Sequence, residues 1–199
     1  METAVRELVD PLLGMIAFFI LCGFDMASLA RLAVLKRVTL CVASALFLFA
    51  LVRVLMHPTM LPLPAWCVPL GWLLSILGLI LLVYSLALEI PFQRAYLTPG
   101  ASSELVTTAT YALTRHPGAL WLAMLLVGLL LTSRSRAMLI AAPAWLLMDI
   151  LYVWLQDRVF FPHQFADYRQ YQHQTPMLLP DLASLRRCWQ TLPWRRERS

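Results

Sequence analysis

The sequence predicts an all-α, polytopic membrane protein of about five transmembrane helices, with a C-terminal helical hairpin and a cytoplasmic tail. Three observations lead there. Hydrophobic residues make up 60% of the 199 and charged residues only 14%, against the roughly 25% charged content of ordinary soluble domains. Between Trp66 and Leu88 there is no Asp, Glu, Lys or Arg, and about 20 predominantly apolar residues suffice for a helix to cross the hydrocarbon core. No segment alternates with a period of two, and a bilayer offers the backbone no hydrogen-bond partners, so the spans are expected as helices rather than barrel strands.

Met1 to Asp10 carries Glu2, Glu7 and Asp10 beside Arg6. No small-residue cleavage pattern closes the apolar stretch behind it, which predicts an uncleaved first helix. Apolar runs occupy Pro11 to Phe24, Val38 to Val52, Trp66 to Leu88, Gly118 to Thr132 and Ala137 to Met148. Proline marks two boundaries, because it cannot continue a helix it interrupts. The loop after the second run reads His57-Pro58 through Leu61-Pro62-Leu63-Pro64, and Pro91 follows Glu89 and Ile90 at the end of the third.

Only Ser133-Arg134-Ser135-Arg136 separates the last two runs, a connection that forces an antiparallel hairpin. Both runs are short, which predicts a hairpin lying obliquely or incompletely across the bilayer. Orientation follows from the basic residues. Arg31, Lys36, Arg37, Arg94, Arg115 and the arginines from Arg158 onward fall on one side, and Arg6, Arg53, Arg134 and Arg136 on the other. The positive-inside bias then predicts an external N-terminus and a cytoplasmic C-terminus, in what is expected to be a bacterial cell membrane.

One membrane domain, 1–199, is expected, with two N-terminal helices in 1–65 and a basic tail in 181–199; the chain shows no internal repeat. The formal charge of +5 does not call for nucleic acid, since Arg186, Arg187, Arg195, Arg196 and Arg198 cluster at one end, where anionic lipid headgroups attract them. Cys22, Cys41, Cys67 and Cys188 have neither metal-ligand nor disulfide-framework spacing. His163 and His173 lack a third ligand nearby, so no metal site is expected. Most tryptophans stand at segment ends, as interface anchors do.

The stretch informative about chemistry is ELVTTATYALTRHPGALW, Glu104 to Trp121, at the mouth of the fourth helix. Pro117 suits the first turn of that helix, where its missing N–H costs nothing. Arg115 brings a rigid fork of donors for a carboxylate or phosphate, and His116 titrates near neutrality. An Arg-His pair before a membrane helix also serves simply as a headgroup anchor, and residue chemistry alone leaves both readings open. A second polar cluster follows the fifth helix: Gln156, Asp157 and Arg158, then His163, Gln164, Asp167, Tyr168, Arg169 and Tyr171. A short hairpin returns the chain to where it left, so the two clusters should meet. A pocket between them would face water on one side, for a polar cofactor, and lipid on the other, for an apolar substrate.

Leu105-Val106-Thr107, Tyr111 and Arg115-His116-Pro117, followed after the hairpin by Gln156-Asp157, by Tyr168 and Tyr171, and by Thr175-Pro176, resemble the signatures of the integral membrane methyltransferases. These are the isoprenylcysteine carboxyl methyltransferases and the phospholipid N-methyltransferases. The resemblance covers roughly 66–180, a methyltransferase-like core. It implies S-adenosylmethionine as cofactor, held by Tyr111, Arg115, His116, Pro117, Gln156 and Asp157, with Arg115 and His116 as catalytic residues and a lipophilic molecule or lipid as methyl acceptor. Arg115 would hold the cofactor's carboxylate or orient the acceptor, and Asp157 would meet the cofactor's amine. The chain departs from the family pattern at Ala109, Ala119 and Trp121, where the family has Gly, Tyr and Gly, and at Gln156, where it has a first Glu.

Asp149 stands in an apolar segment, where a carboxylate is expensive. It is expected either to line the substrate pocket with Tyr168 and Tyr171, or to be satisfied by Arg134, Arg136 or a neighbouring hydroxyl, or to be kept neutral by burial. Asp25 is expected to snorkel from a helix end toward Arg31. Two further functions stay open: an NADPH-dependent membrane reductase of the sterol-reductase type, which shares the Arg-His-Pro region, and a catalytically weakened scaffold, to which Gln156 and Ala119 point.

Overall fold

The computed structural model describes residues 2–90 and 105–192, with side chains from residue 7 onward. Pro91, Arg94 and Glu104, and the arginines at 195, 196 and 198, lie outside the described residues. The long helices are α1 (Glu2–Leu29), α2 (Ala33–Leu55), α3 (Cys67–Val83), α5 (Pro117–Ser133) and α6 (Arg136–Leu155). Short helices follow the same order: α4 (Thr110–Leu113), α7 (Phe161–Gln164), α8 (Tyr168–Gln174) and α9 (Leu182–Thr191). Wide π-helical turns extend α3 over Tyr84–Glu89 and join α6 to α7 over Gln156–Phe160. Among the described residues the only β pairing is an isolated bridge between Met60 and Ser135.

Among the described residues four helices are long and apolar enough to cross a membrane: Glu7–Leu29, Ala33–Leu55, Cys67–Glu89 and Arg136–Gln164. The chain is therefore a multi-pass membrane protein. The fifth apolar helix, α5, has 17 residues, about 25 Å of rise, and falls short of the roughly 30 Å hydrocarbon thickness.

Packing follows from where small residues stand. α3 and α5 lie so close that a Cβ on Gly71 would come within 2.8 Å of the Gly128 carbonyl, and one on Gly128 within 2.5 Å of the Ser75 nitrogen. Such seams hold helices together in lipid, where the hydrophobic effect does not. On the other side Gly14 of α1 makes room for Trp145 of α6, whose indole N–H donates to the Pro11 carbonyl at 2.8 Å. Trp145 is fully buried and packs against Phe47, which meets Phe18 edge-on. This tryptophan belongs to the core, not to an interface belt.

The hairpin between α5 and α6 is sharp because Arg134 takes a left-handed conformation and Ser135 caps α6. Its polar groups are tied to neighbouring segments: Arg134 donates to the Leu63 carbonyl and the Ser135 hydroxyl to that of Val54. α9 belongs to the segment expected as a plain tail. An Asp181/Ser184 capping box starts it. Thr191 near its end accepts a hydrogen bond from the Ala109 N–H at 2.8 Å, fastening the helix beside α4.

Candidate functional site

The hairpin returns the chain as expected, and Arg115 lies against Asp157. Arg115 Nε and one terminal nitrogen grip the two Asp157 oxygens at 2.7 and 2.9 Å, a bidentate pair. Its other terminal nitrogen donates to the carbonyls of Gln172 at 2.9 Å and Thr175 at 2.5 Å. Asp157 is buried and also accepts from the Tyr168 hydroxyl at 2.7 Å and from the Gln172 amide at 3.1 Å. The backbone joins in, with Arg115 N–H donating to the Pro176 carbonyl and His116 N–H to that of Met177. Four of the five N–H donors of Arg115 are thus met by the protein itself, which makes the pair a frame and leaves one terminal N–H without a protein acceptor.

His116 stands differently. Its ring stacks on Phe161 with centroids 5.6 Å apart. Nε2 lies 3.5 Å from Asp157 Oδ1, in ion-pair range, yet is buried without an aligned hydrogen bond. Burial pushes the imidazole below its ordinary value, against the pull of Asp157, so at neutral pH the ring is uncharged. Burial also raises the phenol of Tyr168, helped by Asp157, and that of Tyr171. Neither tyrosine ionises near neutrality. Tyr171 instead donates to the Tyr111 carbonyl at 2.5 Å, and Tyr111 to that of Ser85 at 3.2 Å.

These groups close one end of a cavity of about 420 Å³, within the size range of small-molecule sites. Its walls include Tyr111, Arg115, His116, Pro117, Gln156, Tyr168 and Tyr171; Asp157 stands behind Arg115 and is not among the lining residues. Asp149 lines it, buried, and its Oδ2 has no hydrogen-bond partner. Neither Arg134, Arg136 nor a neighbouring hydroxyl reaches it. Both π-helical turns border this space, through Leu86 at the end of α3 and Gln156 at the end of α6. Such turns recur at functional sites because they re-aim side chains without ending the helix.

Two features depart from expectation. Asp25 does not snorkel: it is 3% exposed, lines the cavity, and accepts a hydrogen bond from Gln156 Nε2 at 3.0 Å. A carboxylate from α1 therefore stands next to the position where the acidic pair begins with a glutamine. Sequence reasoning missed it although a carboxylate inside an apolar run was the available signal. Further, α1 and α2 supply much of the apolar wall, including Phe18, Phe24 and Phe47. The cavity is consequently a property of the whole bundle rather than of 66–180.

Where the resemblance expects glycine, Ala109 adopts φ 50° and ψ −118°, backbone that side chains other than glycine's rarely accept. No family model, curated protein or solved structure matches the chain.

Proposed function

We propose that the chain transfers a methyl group from S-adenosylmethionine to a lipophilic acceptor, at the cytoplasmic face of a bacterial cell membrane that also holds its C-terminus. The observation that carries this reading is the single cavity, bounded at one end by the Arg115-His116-Pro117 turn and Gln156 and walled elsewhere by aliphatic and aromatic side chains of α1, α2 and α6. Its chemistry fits the cofactor. The aromatic group of Phe161, Phe165 and Tyr168 offers ring faces and edges to a purine. The buried His116 Nε2, without an aligned hydrogen bond, offers a polar contact, and Asp25, beside Gln156, offers negative charge to a cation.

When bound, the cofactor supplies a methyl group already activated by a sulfonium, so the protein has chiefly to align an acceptor and exclude water. The chain's own residues divide that work. Arg115 and Asp157 are positioning residues, fixing the 115–117 turn against the end of α6. His116, Tyr111 and Pro117 shape the wall on which the cofactor rests. Gln156, held by Asp25 and by the Tyr152 hydroxyl, joins the cofactor end to the apolar end.

A nicotinamide dinucleotide fits less well. Its diphosphate wants unpaired cationic groups, whereas the only basic side chains among the described lining residues are Arg115, its charge already paired with Asp157, and uncharged His116. The Arg115 network, which spends most of its donors on the protein, does favour one rival, a scaffold without turnover.

Thermal unfolding of the detergent-purified protein separates these readings, since a ligand that binds only the folded state raises the midpoint. S-adenosylmethionine should raise it and NADPH should not. A midpoint unmoved by either ligand would leave the scaffold; one moved by NADPH alone would leave the reductase.

A further inference from the structure

The geometry points to a cation site at Asp149, and we propose that it takes the ammonium group of a lipophilic amine, which is the methyl acceptor if the reading above holds. Asp149 stands near the middle of Arg136–Gln164, one of the helices long and apolar enough to cross a membrane. At about 1.5 Å of rise per residue it lies about 12 Å deeper than Asp157 along the same helix. A carboxylate at that depth persists only where something in its surroundings answers it. It is 8% exposed, it lines the cavity, and no group of the protein reaches its Oδ2.

The other acidic side chain of this cavity shows what an answered carboxylate looks like. Asp25 receives the Gln156 amide at 3.0 Å and feels the buried Lys36 ammonium, which sits over the Phe24 ring. Among the described residues no Lys, Arg or His forms an ion pair with Asp149. The lining around it is apolar, with Phe18, Ala119, Leu122 and Val153 among the walls. A ligand that satisfies both surroundings carries one positive, hydrogen-donating head on an aliphatic or aromatic body. An ammonium head draws the carboxyl into its charged form and pairs with it, which neither an anionic head nor an alcohol can do.

The positive group could also belong to the cofactor, whose sulfonium and amine are cationic, and the test must tell the two apart. Dodecylamine, dodecanol and dodecanoate are compared as stabilisers of the purified protein in a nonionic detergent, without S-adenosylmethionine. Dodecylamine should raise the unfolding midpoint and the other two should not, a comparison that needs no variant. Asp149→Asn should weaken the apparent affinity for dodecylamine about ten- to a hundredfold, as for a lost charge-assisted contact, while leaving the response to S-adenosylmethionine intact.

Equal stabilisation by amine and alcohol would overturn the proposal, as would an Asp149→Asn variant that loses S-adenosylmethionine and keeps the amine. An amine response without any S-adenosylmethionine response would sustain the site and sink the methyltransferase reading. The reverse pattern would do the opposite.

Discussion

Asp157 and Asp149 lie on one continuous helical stretch, about two turns apart, and meet opposite surroundings. Asp157 is gripped by Arg115, Tyr168 and Gln172. Asp149 is buried with an oxygen that has no hydrogen-bond partner. A saturated carboxylate contributes shape, because any ligand that engaged it would first have to break bonds already made. The unsaturated one contributes capacity, because its desolvation has been suffered without compensation and a ligand can supply the missing partner. The sequence motif that draws the eye is therefore the frame, and the residue without a motif is the better candidate for contact.

Breaking the frame should give the largest effect. Arg115→Ala or Asp157→Ala leaves a buried charge without its partner, a change that costs about 3–5 kcal/mol. Each variant should unfold well below wild type in detergent, and the double variant should lose less than the sum of the two, since the groups are coupled. An Asp157→Ala protein with wild-type stability would mean that the pair does not hold the site together.

The deep end should respond with the opposite sign. Asp149→Leu replaces an unpartnered carboxylate by an apolar group of similar size, and should raise stability by about 1–3 kcal/mol, the usual penalty of a buried unsatisfied group. The same variant should lose the amine response. Chemical unfolding in detergent measures the first and a ligand-dependent midpoint the second. A loss of stability would show that Asp149 is satisfied within the folded bundle.

How much of this was legible in the sequence differs between the two ends. The five apolar helices stand where the uninterrupted apolar runs stand, because lipid leaves hydropathy as the dominant constraint. Arg115 and Asp157 could be brought together on paper, since a four-residue connection fixes where the chain returns. That most of the Arg115 donors would be taken up by the protein could not, because its other acceptors are backbone carbonyls of Gln172 and Thr175, which carry no side-chain signature. Asp25 and Gln156 are 131 residues apart and meet because α1 packs along α6, where Gly14 makes room for Trp145. The reach of α6 beyond Met148, by contrast, was open to reading, since an apolar run can be extended past a polar residue such as Asp149, which here lines the cavity.

His116 sharpens the comparison through pH. Its ordinary value is 6.5 and burial lowers it in the folded protein. Around and below pH 6.5 the unfolded chain therefore binds more protons at this residue than the folded one. The contribution of the neutral ring to stability is fully present above the ordinary value and is lost as the pH falls from there toward the lowered one. Stability measured in detergent from about pH 7.5 down to about pH 5 should decline in wild type more than in His116→Gln. Parallel curves would mean that Asp157, 3.5 Å away, compensates the charged ring.

The frame also contains one local conflict, and relieving it should give a modest gain. Ala109 has φ 50°, and a non-glycine residue in such backbone costs about 1–3 kcal/mol, while glycine brings an entropic cost of about 0.5–1 kcal/mol. Ala109→Gly should therefore raise stability by about 1 kcal/mol. It should do so without changing the Arg115 network, because the hydrogen bond from residue 109 to Thr191 uses the backbone N–H, which glycine keeps. The residue is buried, so loss of its methyl works in the other direction. A midpoint that falls would show that the methyl's packing outweighs the backbone strain. A rise would show that the turn before Arg115 is strained at one residue, and that the frame holds its shape in spite of it.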